Sequence, residues 1–348
     1  MINGKTLARV AAAFAFATIL GFGCATDDEE PTSSGGALWI IDQPNTVVYI
    51  YDYDGVRVDT IGALPFFLKP NCVAVDKSDG STWVLDYYVN KLRKFDSDGD
   101  LLLETPALKG EEPLIRRGTS IAVDQDDGAC WVADRSHARV LKIGSGGNVL
   151  ATVTGFRSPR VVSLVPGAGD CWVVDELTDR AVKLPEAVSG EVTVDAVALA
   201  SNSSFDSPWS VTADPDGGAW VLDKGTGSVV KVRPNGARGA ELTGFNYPFD
   251  AAVSATTNNL YVVDYDAGLL ASFDKSLQGS QSWDVAADFT VKGLLAATDV
   301  EIDETGGFVF VASDGRVGRY DTTGVLLSEC VGIQTPVAVA ADPGRSTP

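Results

Sequence analysis

The sequence predicts an all-β protein: a seven-bladed β-propeller of four-stranded antiparallel blades, closed by the C-terminal strand pairing with the N-terminal blade. Three observations carry that expectation. First, one short pattern recurs along the chain: LWIID at 38–42, TWVLD at 82–86, CWVAD at 130–134, CWVVD at 171–175, AWVLD at 219–223, LYVVD at 260–264 and VFVAS at 309–313. Its aromatic residues, Trp39, Trp83, Trp131, Trp172, Trp220, Tyr261 and Phe310, recur about every 45 residues, a period of propeller blades or solenoids. Second, no stretch keeps a helical 3.6-residue period, whereas 36 glycines and short apolar runs suit strands and tight turns. Third, the first copy lacks the apolar strand that precedes the others, and the last copy is followed by a spare one, PVAVAAD at 336–342. An open ring would leave unpaired strand edges, so the spare strand is expected to complete the first blade as its innermost strand.

The elements follow in chain order. Residues 1–23 read as a signal peptide: Lys5 and Arg9 precede an apolar run, Val10–Phe22, that is too short to span a bilayer. Gly23–Cys24 resembles the cleavage point of bacterial lipoprotein signals, with Cys24 as the lipidated residue, although Gly21 stands where those signals prefer leucine. Ordinary cleavage after Ala25 is the alternative. Residues 24–35 form an acidic Ser/Gly tether, and residues 36–345 the propeller. The expected address is therefore outside the cytoplasm: lipid-anchored to the cell envelope at the outer membrane or cell surface, or else periplasmic or secreted. Within each repeat an apolar inner strand (NCVAVD at 71–76, SIAVD at 120–124, DVEID at 299–303) precedes the aromatic strand. A third strand follows (KLRKFD, RVLKI, SVVKV), then a glycine turn and a fourth strand.

The stretch from Pro70 to Gly99, with PNCVAVD, WVLD and KLRKFDSDG, resembles an NHL repeat, and the resemblance extends over roughly residues 36–342. It implies a propeller and leaves the activity open, because propellers host binding modules and enzymes alike.

Composition removes several functions. The net charge of −20, with no basic run against it, opposes nucleic-acid binding. A single histidine, His137, cannot supply the several histidines on which streptogramin lyases and peptidyl-amidoglycolate lyases, enzymes of similar propeller form, depend. No nucleophile elbow, Cys/His pair or phosphate-cradling loop is present. The acidic turns DYDG, DSDGD, DQDDG and DPDGG resemble calcium loops but read as glycine hairpin turns; DSDGDLLLE has Leu101 where an EF-hand needs glycine. The strand-end aspartates Asp42, Asp86, Asp134, Asp175, Asp223 and Asp264 are expected to accept backbone N–H bonds and shape the loop after each strand. The recurring tryptophans are expected between blades, and Trp283 in an outer strand. Cys72, Cys130, Cys171 and Cys330 read as buried thiols.

What remains is the non-repeating set at one mouth of the ring. The starts of the inner strands supply Asn71, Ser120, Arg160, Trp209, Phe249 and Asp299; the loops supply Tyr87, Tyr88, Asn90, Arg135, His137, Arg180, Tyr265 and Asp266. Aromatics, arginine and amides are what recognition surfaces use. We expect a non-catalytic propeller without a cofactor. It would bind a protein or glycan of the cell envelope through Asn71, Arg160, Trp209, Phe249, Asp299, Tyr87, Tyr88, His137 and Tyr265, touching the membrane only through its lipid. A calcium-dependent hydrolase or lactonase of gluconolactonase-like type, using axial Asn71 and Asp299, is the alternative.

Overall fold

The structure, a computed structural model, describes residues 36–62, 66–105 and 112–344. The expected signal segment, the tether and Cys24 lie outside those residues. Seven sheets surround a common axis, and each runs outward from an inner strand. Blade 2 has Pro70–Val75 innermost, then Thr82–Asp86, Lys91–Phe95 and Leu101–Glu104. The ring shuts as the sequence predicts. Pro336–Asp342 pairs antiparallel with Ala37–Asp42, from Ala37↔Asp342 to Asp42↔Pro336, and becomes the inner strand of blade 1.

The core is seven clusters, one at each blade junction. Trp39 packs with Val84 and Phe95 of blade 2, Trp131 with Val173 of blade 4, and Trp220 with Val262 of blade 6. Phe310 of blade 7 packs with Leu38 and Tyr53 of blade 1. The five repeat tryptophans are fully buried, each contributing about 4–6 kcal/mol as an upper bound from ~150–250 Å² at ~25 cal/mol/Å². Register places a lysine across from four of them: Trp83↔Lys94, Trp131↔Lys142, Trp172↔Lys183 and Trp220↔Lys231. Three of those ammonium groups lie 5.4–5.6 Å from the indole centroids. The lysine stem thus covers the ring while its head reaches an acidic turn, as Lys231 does at 2.5 Å from Asp214.

Two blades depart from the four-strand expectation. Gly190–Thr193 adds in parallel to the outer strand Val149–Thr154 of blade 3, and Ser280–Ser282 adds likewise to Arg238–Thr243 of blade 5. Each comes from the following blade and leads into a one-turn helix, Val194–Val197 or Trp283–Ala286. Trp283 therefore starts a helix rather than sitting in an outer strand. Its indole stacks on Phe245 at 5.8 Å and donates to the Gly244 carbonyl oxygen at 2.9 Å. These devices recur 89 residues apart, as do Trp131 and Trp220, so blades 3–4 and 5–6 are copies of a two-blade unit.

Inner strands have a free edge toward the axis, and their backbone groups need partners. Side chains at or beside the inner strands link six of the seven junctions, and Gln43, which follows the aromatic strand Ala37–Asp42, links blades 1 and 2. Gln43 reaches Pro70 O at 3.5 Å, Asn71 donates to Gly118 O at 3.1 Å, and Thr119 donates to Arg160 O at 2.7 Å. Ser163 accepts from Ala213 N, and Ser210 donates to Asp250. Asp250 accepts from Val300 N, and Asp299 accepts from Val339 N at 2.7 Å. Asp299 so holds the closing strand.

Candidate functional site

The pairing fixes two faces. Inner strands begin, and aromatic strands end, on what we term the upper face: Pro70 is registered with Asp86 and Pro336 with Asp42. The first described residues and Asp342 lie on the lower face, because Ala37 pairs Asp342.

The strand-end aspartates build the upper rim. Asp86 accepts from Leu68 and Lys69 N–H, Asp175 from Arg157 and Ser158 N–H, and Asp264 from Asn246 and Tyr247 N–H. Asp42, Asp134 and Asp223 do the same for Gln334 with Thr335, for Arg116 and for Asp206. The backbone they fix is chiefly the loop leading into the blade's own inner strand, not only the loop after the aspartate. Asp223 does so through Oδ2, while its Oδ1 is buried without a partner. The glycine turns are hairpins as expected: Asp96 accepts from Asp98 and Asp100 N–H, and Gly99 takes φ +85°, where a side chain is strained.

Four of the predicted residues meet at the mouth between blades 4, 5 and 6. Arg160, Trp209 and Phe249 come from the starts of three successive inner strands, and Tyr265 from the loop after Asp264. The Arg160 guanidinium lies 3.2 Å from the Trp209 ring centroid. Trp209, Tyr247, Phe249 and Tyr265 form a continuous group with centroids 5.4–5.8 Å apart. Tyr247 and Lys224 complete the group, and the sequence pattern does not single them out. Tyr247 sits one residue before an inner strand, and the Lys224 ammonium lies 4.1 Å from Tyr247 and 4.5 Å from Trp209. Gly225 lets the Lys224 loop close on the Asp206 loop; a Cβ there would fall 2.1 Å from Asp206 O. Glu176 ties the group to Arg135 at 2.8 Å and to Arg160 at 3.6 Å. Burial holds the Arg160 guanidinium below its ordinary pKa.

The other predicted residues lie elsewhere on this face. Tyr87 and Tyr88 pack together at 5.5 Å beside Lys69 on blade 2, with Tyr88 59% exposed. His137, in the loop after Asp134, is mostly covered, with Nδ1 2.8 Å from Asp134. Asn71 and Asp299 belong to the axial hydrogen-bond belt. The channel has a volume of about 520 Å³ and is lined largely by small residues such as Ala74, Ala122, Ser163, Thr212 and Ala252, with Asp250, Asp299 and Glu301 among its acids.

Those acids are committed. Asp250 accepts from Ser210 and Val300, and Asp299 accepts from Val339 while bonding to Asp250. Burial pushes Asp250 up to about 6, and burial with the neighbouring Asp250 charge pushes Asp299 higher than an ordinary carboxyl. Elsewhere among the described residues Asp124, Asp127 and Glu186 gather on the lower face, and Lys142 lies 3.4 Å from Asp127 and 2.8 Å from Glu186. Cys72, Cys130, Cys171 and Cys330 are unpaired, and burial raises every one of these thiols.

The two faces differ in charge. The turns after the inner and third strands, on the lower face, carry fourteen acidic and three basic residues. The described loops after the second strands and before the inner strands, on the upper face, carry six of each.

No protein-family model matches the chain, and no curated relative matches it. Solved structures do. A functionally unknown protein from Desulfotomaculum acetoxidans is 12% identical with a TM-score of 0.70, over 88% of this chain and 98% of that one. A streptogramin B lyase is 13% identical with a TM-score of 0.61, over 89% and 93%. Virginiamycin B lyase from Staphylococcus aureus is 13% identical with a TM-score of 0.58, over 75% and 83%. At such identities the likeness shows the fold, a seven-bladed β-propeller.

Proposed function

We propose that the protein is an exported, NHL-like propeller, held at the cell envelope through lipid on Cys24, that captures a protein or glycan partner on its upper face without catalysing a reaction. The observation that carries this reading is the cluster of Trp209, Tyr247, Phe249 and Tyr265 with Arg160 and Lys224, gathered from three blades at one mouth. Aromatic residues and arginine dominate the energy of recognition surfaces. The hydrolytic alternative rests on axial Asn71 and Asp299, of which Asp299 accepts from Val339 N–H and Asn71 keeps a buried, unpartnered Oδ1. Gly36, the first described residue, lies on the lower face, so a tether joined to it would present the upper face away from the membrane.

The test is capture from crosslinked native envelopes, comparing the wild type with a Lys224→Glu/Tyr265→Ala variant and a Ser78→Arg variant of the lower face. Partner loss in the first variant alone supports the reading; equal capture by all three proteins overturns it.

A further inference from the structure

Resting on that recognition reading, we infer that the upper-face cluster takes an acidic peptide segment whose carboxylate docks against Lys224 and Arg160 beside the Trp209 and Tyr247 rings. Lys224 is exposed and makes no ion pair among the described residues; its ammonium rests only on the two rings. The acid on the adjoining loop, Asp206, meets the Lys224 loop through its backbone oxygen, which accepts from Gly225 N–H, and through its side chain, which lies against Gly225 without pairing Lys224. Arg160 shares Glu176 with Arg135, and its Nε is buried without a partner. Arg135 and Arg160 therefore share one glutamate, and Lys224 has no acid within ion-pair distance among the described residues. Cations poised over ring faces keep their charge and gain a charge-assisted bond when a carboxylate arrives.

The rings are poorly disposed for sugar stacking. Trp209 meets Tyr247 at 74° and Tyr247 meets Phe249 at 62°, edge to face, while Phe249 and Tyr265 lie tilted at 31°. The Trp209 face is already covered by Arg160 at 3.2 Å. A peptide side chain entering between ring edges and cations suits this geometry better.

The chain's own charge permits the approach. Six-residue strands make the ring about 20 Å deep, roughly twice the Debye length at physiological salt, so the lower-face acids are screened from the upper mouth. An acidic segment is repelled by the lower face and meets local positive charge only above.

The experiment pans a random 12-residue displayed-peptide library on the immobilised full chain and on its Lys224→Glu variant, with polygalacturonate as competitor. The selected peptide, fluorescein-labelled, is then titrated by anisotropy. Enrichment of Asp or Glu beside an aromatic or apolar residue, with at least about tenfold weaker binding to Lys224→Glu, supports the proposal. Peptides that bind this face but lack acidic enrichment overturn the acidic specificity and leave the recognition reading standing. Displacement of every peptide by polygalacturonate, with polygalacturonate itself retained, makes the occupant a glycan and overturns the proposal. Retention of neither probe overturns both.

Discussion

Asp299→Asn should make the protein more stable as pH rises, relative to the wild type. In the native ring Asp299 accepts from Val339 N–H of the closing strand at 2.7 Å and bonds to Asp250, whose two oxygens accept from Ser210 and Val300. Two carboxylates so placed cannot both ionise cheaply, so Asp299 keeps a proton that the unfolded chain releases near pH 4. Both folded-state pKa values are raised. Their contribution to stability is therefore full below the unfolded value and lost as pH climbs through the folded ones. One retained proton is worth about 1.4 kcal/mol per pH unit, and the wild type loses that much for each unit above the unfolded value until the raised carboxyls ionise. Asparagine keeps the acceptor for Val339 and supplies a neutral N–H to Asp250, so it holds the latch without a proton. At roughly 2 °C per kcal/mol, the melting-temperature difference between variant and wild type should widen by about 3 °C per pH unit over that window. Thermal scans at half-unit pH steps read it, with Asp299→Ala as the control that loses the Val339 bond at every pH. Parallel curves for wild type and Asp299→Asn would refute the shared-proton latch.

Further outcomes follow from the same contacts. Asp214 behaves oppositely: burial raises it, but Lys231 and Lys275 outweigh burial and hold it below the ordinary carboxyl value. Its stabilisation is present above the unfolded pKa and lost as pH falls through the folded one. The deficit of Asp214→Asn, read by urea denaturation, should therefore shrink below about pH 4. Asp175→Ala should cost about 2–4 kcal/mol, because it leaves Arg157 and Ser158 N–H without their acceptor; a denaturant midpoint equal to the wild type's would contradict the clamp. Trp131→Ala should cost about 3–5 kcal/mol, a normal midpoint being the adverse result. Removal of residues 336–348 should expose the edge of Ala37–Asp42 and yield oligomers on size exclusion; a stable monomer would mean the ring does not depend on its closure.

Blade number and closure are legible in the sequence because hydrophobic repeats and a displaced strand are properties of the chain itself. The strands Gly190–Thr193 and Ser280–Ser282 are not, since GEVT and SQS are largely exposed, carry no apolar alternation and gain their identity only from the edge they cover. The two-blade unit lies in the alternating aromatic spacings but vanishes in their mean. Trp209 and Arg160 stand out of repeat register, which makes them visible. Tyr247 and Lys224 do not: Tyr247 precedes its strand by one residue, and Lys224 resembles any loop lysine until Gly225 draws it inward. Trp209 and Arg160 are also half buried against neighbours, so their removal should perturb stability as well as binding, and exposed Lys224 is the cleaner probe.

The most direct measurement is photocrosslinking from single positions on the two faces in living cells. With a photoreactive residue in turn at Tyr265, Tyr88, Ser78 and Thr323, the account predicts a partner adduct from Tyr265, weaker or none from Tyr88, and none from the lower-face positions Ser78 and Thr323. Adducts concentrated at Ser78 or Thr323 would contradict it.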